Sequence, residues 1–291
     1  MNLVNVMTRR AEGYHDTLRQ AASRGEVVLA RSEEVETIHT TRVRVKEWGL
    51  ERHLVVDWYR RASFLDHFLA PGAGPAMIAR GQARELGDFV DQPFQVTVQR
   101  APWEVAVQLV RDGHVWVGDV HAPVRVEKRL VAQSGGRGVE VTCRVTNQGE
   151  ITVATDFAVE TNWGTTGPDA AVVAGGFAAR VGDHRRVDRV DAVTICDPGW
   201  GLEVEMAMPP GSLWVVPIEV VSASEAGFER TFQGVSLFSV WPVRLNTGEV
   251  WEGRLAFAWR ITAAPETSDA ATPDPSTPDP VISPEEPVDP V

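Results

Sequence analysis

The sequence predicts an all-β protein: one large two-sheet antiparallel β-sandwich with a single short helix at its start. Three observations predict it. Apolar residues alternate with polar ones over most of the chain, Gly/Pro/Asn turn signals separate the runs, and no strand-helix-strand alternation of a parallel sheet occurs.

The helix comes first. Val4, Met7, Ala11, Tyr14, Leu18 and Ala21 recur at steps of three and four, and Gly25 stops the pattern. A stripe this narrow needs a surface to dock on. From Val27 the period changes to two. Val43 and Val45 alternate with Arg42, Arg44 and Lys46; Phe94, Val96 and Val98 with Gln95, Thr97 and Gln99; Val139 to Val145 with Glu140, Thr142 and Arg144. In the last run Trp251, Leu255, Phe257, Trp259 and Ile261 share a face. These are expected to be half-buried antiparallel strands, about 15 in all. Pro71-Gly72, Asp112-Gly113, Gly135-Gly136, Pro209-Pro210-Gly211 and Asn246-Thr247-Gly248 are read as the turns between them. The organisation expected is a helical segment over 1–24, a sandwich over 25–263 and a disordered acidic, Pro-rich tail over 264–291.

Composition excludes several classes. The formal charge is −12; seven acids and no Lys or Arg lie between Pro265 and Val291, which leaves about −5 on the rest. No basic field suited to nucleic acid is present. No apolar run approaches the roughly 20 residues that span a bilayer, and no signal-peptide core opens the chain, so a cytoplasmic location is expected. Cys143 is in phase with Val139, Val141 and Val145 and is read as an inert buried thiol; neither it nor Cys196 has metal-ligand spacing around it. No metal or cofactor is expected.

The stretch Arg52 to Leu69, RHLVVDWYRRASFLDHFL, holds two apolar runs parted by Arg60, Arg61, Ala62 and Ser63, a bend that places Asp66 and His67 in a frame of Trp58, Tyr59, Phe64 and Phe68. Asp66 beside His67 reads either as an acid/base pair or as a polar corner pinned by Arg60 or Arg61. A second group follows: Asp156, Glu160 and Asn162 share one face of a strand whose other face carries Val153, Phe157 and Val159, with Trp163 opening a Gly/Thr loop. A carboxylate, an amide and an indole suit sugar hydroxyls and a pyranose face; the alternative is a buried hydrogen-bond network. Trp200 and Trp48, in loop-like contexts, are candidates for stacking on a sugar ring or for contacts to another domain.

The stretch around Asp66-His67, with Asn5 to His15 (NVMTRRAEGYH), Phe157 to Trp163 (FAVETNW) and Phe232 to Trp251 (FQGVSLFSVWPVRLNTGEVW), resembles the C-terminal β-sandwich of glycoside hydrolase family 57, the α-amylase and 4-α-glucanotransferase family. The resemblance implies a galactose mutarotase-like sandwich, an accessory module that packs on or assists a catalytic barrel, with an α-glucan or such a barrel, possibly a separate chain, as partner. In that family both catalytic carboxylates sit in the barrel, so no catalytic residue is carried over. Met1 falls inside the family's sandwich region, which implies a fragment, with opening strands absent and an edge or face left for a partner. Two other readings stay open: a stand-alone mutarotase-like epimerase using His67, His121 and Glu160 for proton transfer, and a non-catalytic carbohydrate-binding protein.

Overall fold

The computed structural model describes residues 7–30 and 42–262. Val4, the first residues of the Asn5 to His15 match and the predicted tail lie outside the described residues. Helix α1 (Gly13–Arg24) is followed by β1 (Val27–Leu29), β2 (Val43–Val45), β3 (Leu65–Leu69), a short helix α2 (Pro75–Ala79), β4 (Gln95–Ala101), β5 (Glu104–Val117), β6 (Val120–Gln133), β7 (Gly138–Asn147), β8 (Val153–Trp163), β9 (Ala171–Ala174), β10 (Phe177–Arg180), β11 (Arg185–Asp197), β12 (Leu202–Ser224), β13 (Gly227–Leu245) and β14 (Val250–Ile261).

The strands form one hydrogen-bonded path that folds over on itself. One sheet runs β3-β8-β13 into the C-terminal half of β12; the other runs β4-β5-β6-β7-β14 into its N-terminal half. Residues 202–207 of β12 pair with β14 and residues 212–224 with β13, while β11 follows it through both. Such a strand turns the corner between sheets. The corner is Pro209-Pro210-Gly211, which is therefore a bend inside a 23-residue strand and not the expected turn. A Cβ on Gly211 would stand 2.6 Å from Trp241 Nε1, so only glycine lets β12 pass the indole here. Asp112-Gly113 likewise lies within β5, because its bare Cα admits the Phe89 ring and the Asp88 carboxylate.

Between the sheets Phe157 packs on Phe68, Trp241 and, across the gap, Trp251. Cys143 is fully buried between Val141 and Val145 as its phase requires, and burial pushes its thiol up to about 12. Smaller apolar clusters lie outside the first sheet, one under α2 around Trp214 and Phe238, one under α1 around Leu18, Val45, Leu50 and Phe228.

The helix starts later than its stripe suggests. Arg9 N–H donates to Asp57 Oδ2 and Asp57 N–H donates to Arg9 O, which holds the chain before Glu12 extended against residue 57; Gly25 ends α1 in the left-handed region as expected. Of the two runs around Arg60-Arg61 only Leu65–Leu69 is a strand. β4 is exposed along its whole length rather than half-buried, being an edge strand, and the inward face of β14 runs out at Phe257, leaving Trp259 and Ile261 in solvent. β1 pairs with β2, and β2 with β13, in parallel; among the described residues the other strand pairs are antiparallel.

Candidate functional site

β8 sets out the site. Successive residues of a strand point to opposite faces, so Glu160 and Asn162 face outward with Ala158 while Phe157 and Val159 face the core. The neighbour β3 pairs Leu65 with Glu160 and His67 with Ala158, which puts His67 on the same outer face, and β13 adds Ser236 opposite Asn162. The irregular stretch 54–64 lies over this face and brings Asp57, Tyr59 and Arg61; the segment before α1 brings Arg9.

Glu160 is completely buried and fully bonded. Its Oε1 accepts from Arg61 Nη1 at 3.1 Å and Asn162 Nδ2 at 2.9 Å, and its Oε2 from the Tyr59 hydroxyl at 2.6 Å and His67 Nε2 at 2.8 Å. The other ring nitrogen of His67 meets Glu85 Oε2 at 2.8 Å, and Glu85 Oε1 accepts the backbone N–H of Phe68 and Gly87. Arg61 also donates to both oxygens of Asp57, at 2.9 Å each, and to Ser236 Oγ; Ser236 in turn donates to Asn162 Oδ1. Arg9 closes the far side on Asp57 and the Ala79 carbonyl. Three cations and three carboxylates thus balance under one lid.

The balance fixes protonation. Burial alone would lower the His67 pKa, but the hydrogen bonds and charges of Glu160 and Glu85 outweigh it and raise it to about 9, so both ring nitrogens donate at neutral pH. Burial would raise Asp57, yet the Arg61 and Arg9 guanidiniums hold it at about 2. Glu160 is likewise held below its ordinary value, against burial, by His67 and Arg61.

A pH dependence follows. The His67 contribution is whole below its unfolded value of 6.5 and disappears as pH rises through about 9; that of Asp57 is whole above 3.8 and disappears as pH falls through about 2. Unfolding free energy should therefore hold a plateau between those values and lose on the order of 3 kcal/mol from pH 6.5 to 9. Urea titrations across this range should show the alkaline decline disappear in His67→Gln; an unchanged decline would refute the assignment.

The expected neighbours Asp66 and His67 part company, because they occupy opposite faces of β3. Asp66 points between the sheets, where its ion-pair partner is Lys128 of β6 rather than Arg60 or Arg61. Lys128 also donates to the Phe64 carbonyl and stands over the Phe94 ring, and neither Asp66 oxygen accepts a well-aligned hydrogen bond. Burial pushes the Asp66 pKa up despite Lys128.

Trp163 is half-buried and donates to Thr161 Oγ1. Trp200 is 68% exposed, on a turn fastened by the buried Asp197, which accepts from the backbone of Thr166, Gly199 and Trp200 and from the Thr166 hydroxyl. His121 lies exposed on β6 against Trp116, apart from the His67 cluster. Trp48 is exposed beside Gly49, and Asp156 at the start of the β8 face is only partly covered. Arg9, Asp57, Glu85, Lys128 and Ser236 were not foreseen, although two carried a signal: Lys128 is in phase with the inward Ala122, Val124 and Val126, and Ser236 with Phe238 and Val240.

A crevice of about 20 Å³ reaches the cluster past Val56, Asp57, Tyr59, His67 and Glu85. That is room for about one water, not for a sugar ring. Among the described residues no group of three or more His, Cys, Asp or Glu is arranged to hold a metal ion, and no helix is long and apolar enough to cross a membrane.

Fold and cluster together define a large antiparallel β-sandwich whose ionised groups are bonded to one another and closed over by their own chain. The protein belongs to the family described as Alpha-amylase/4-alpha-glucanotransferase, C-terminal, whose model matches residues 1–255. It is 26% identical to α-amylase 1 of Dictyoglomus thermophilum over 263 residues, 88% of this chain and 35% of that enzyme. With the 4-α-glucanotransferase of Thermococcus litoralis it shares 26% identity over 246 residues, 84% of this chain and 33% of the relative. The crystal structure of the Thermococcus litoralis 4-α-glucanotransferase superimposes with a TM-score of 0.62 at 25% identity, over 87% of this chain and 33% of that one. The chain spans about a third of the length of the curated relatives it matches and corresponds to their C-terminal domain.

Proposed function

We propose that this sandwich is the accessory body of an α-glucan-acting enzyme, packing on a catalytic barrel carried either elsewhere on the same polypeptide or on a partner, and working in the cytoplasm. One observation carries the reading: His67 and Glu160, two of the three residues named for a mutarotase-like site, are 2% and 0% exposed and engage each other, Arg61, Tyr59 and Glu85 instead of opening on a sugar-sized cleft, and the third, His121, lies apart. General acid/base work needs a group within hydrogen-bond reach of the substrate. The cluster's role is then to hold the 54–64 stretch and the segment before α1 on the first sheet, which gives a neighbouring domain a firm surface to rest on.

Of the residues put forward for carbohydrate or domain contact, His67, Glu160 and Asn162 lie inside the buried cluster, while Asp66 and Trp163 face between the sheets, Asp66 on Lys128 and Trp163 beside Phe257. Trp200, like Trp48, presents its ring to solvent, and the Trp200 turn is locked by Asp197, so stacking there would immobilise little. In native gels containing amylose the chain should be retarded, and Trp200→Ala should lose most of that retardation while its unfolding free energy stays within about 0.5 kcal/mol of wild type. Equal retardation of the two proteins would remove Trp200 from the reading.

A further inference from the structure

A groove of about 980 Å³ opens on the outer side of the first sheet, where residues 52–56, α2 and β12 meet. On a chain of formal charge −12 its ionisable lining is four arginines, two histidines and one glutamate. Two of the arginines are engaged: Arg9 with Asp57 and the Ala79 carbonyl, Arg230 with Glu47 and the lining's single acid, Glu219. Among the described residues Arg52, His53, Arg80 and His184 are left. Among the described residues the Arg52 side chain has an ion pair with Glu51, at 3.5 Å through Nε, and is 84% exposed, so its fork remains available. His184 is near enough to His53, Arg80 and Arg230 that, after burial, their charge opposes its protonation, with Glu219 acting the other way.

Like charges gathered around a concavity repel one another, and an anion between them removes that repulsion. A guanidinium fork matches the oxygens of phosphate in pairs, and a phosphate brings up to two negative charges and three acceptor oxygens where a carboxylate brings one charge. We propose that this groove is a binding site for phosphate-type oxyanions, held by Arg52 and Arg80 with His53 and His184 beside them. Leu54, Val55 and Pro217 line the same groove and offer an apolar bed for the carbon part of a phosphate ester.

The test titrates the full chain with inorganic phosphate, pyrophosphate and glycerol phosphate, with ionic strength held constant by sodium chloride, while the ring protons of His53 and His184 are followed by NMR. Saturable shifts of the ring protons of both histidines are expected. Arg52→Ala and Arg80→Ala should each weaken pyrophosphate about tenfold or more, with thermal midpoints in chloride unchanged. Tighter binding of glycerol phosphate than of inorganic phosphate would assign the site to esters, and equal binding to the free ion. Shifts no larger than chloride alone produces, or pyrophosphate affinity untouched in both arginine variants, would overturn the proposal.

Discussion

Arg61→Ala should lower the unfolding free energy by about 3–5 kcal/mol, the cost of stranding a buried charge partner. The reason lies in what Arg61 joins: it donates to both oxygens of Asp57, to Glu160 and to Ser236 with its side chain 2% exposed. Removing it leaves two carboxylates under the 54–64 lid with one cation fewer. Adding Glu160→Gln to the same chain neutralises one of them and should recover part of the loss. Urea unfolding of the single and double variants measures both terms; a loss below about 1 kcal/mol in Arg61→Ala would mean that the lid is held by something else.

Phe157→Ala should cost about as much, 3–5 kcal/mol, for a different reason. Phe157 is wholly buried and packs against Phe68 and Trp241 in its own sheet and Trp251 in the other, so its removal opens a cavity where the two sheets meet. Ile261→Ala, at the exposed end of β14, should stay within about 0.5 kcal/mol. Thermal or urea unfolding distinguishes them; similar small losses at both positions would contradict the sheet-on-sheet core.

How much of this was legible beforehand depends on whether a signal was local. β7 and β8 were readable from period-two alternation, and Gly135-Gly136 and Asn246-Thr247-Gly248 from turn chemistry. Pro209-Pro210-Gly211 misled, because the same residues that end a strand also let a long one change sheets, and what decides between them is Trp241, thirty residues away in sequence. The outward face of β8 was readable as Glu160 and Asn162, but not whether solvent or protein covered it. The cover comes from Arg9, Asp57, Tyr59 and Arg61, whose partners lie up to 175 residues distant. Asp66 and His67 were adjacent in sequence and were taken together; once Leu65–Leu69 is known to be a strand, the pleat sends them to opposite faces.

The proposed role of the sandwich is to support catalytic machinery rather than to contain it. Its most direct test is to isolate the native protein from its own cells under mild conditions and identify by mass spectrometry what accompanies residues 1–291. The predicted result is a family 57-type catalytic barrel, on the same polypeptide or tightly bound to it, with the sandwich alone leaving the anomerisation of fresh α-D-glucose no faster than buffer. Recovery of the sandwich by itself, accelerating that anomerisation in a way that Glu160→Gln abolishes, would contradict it.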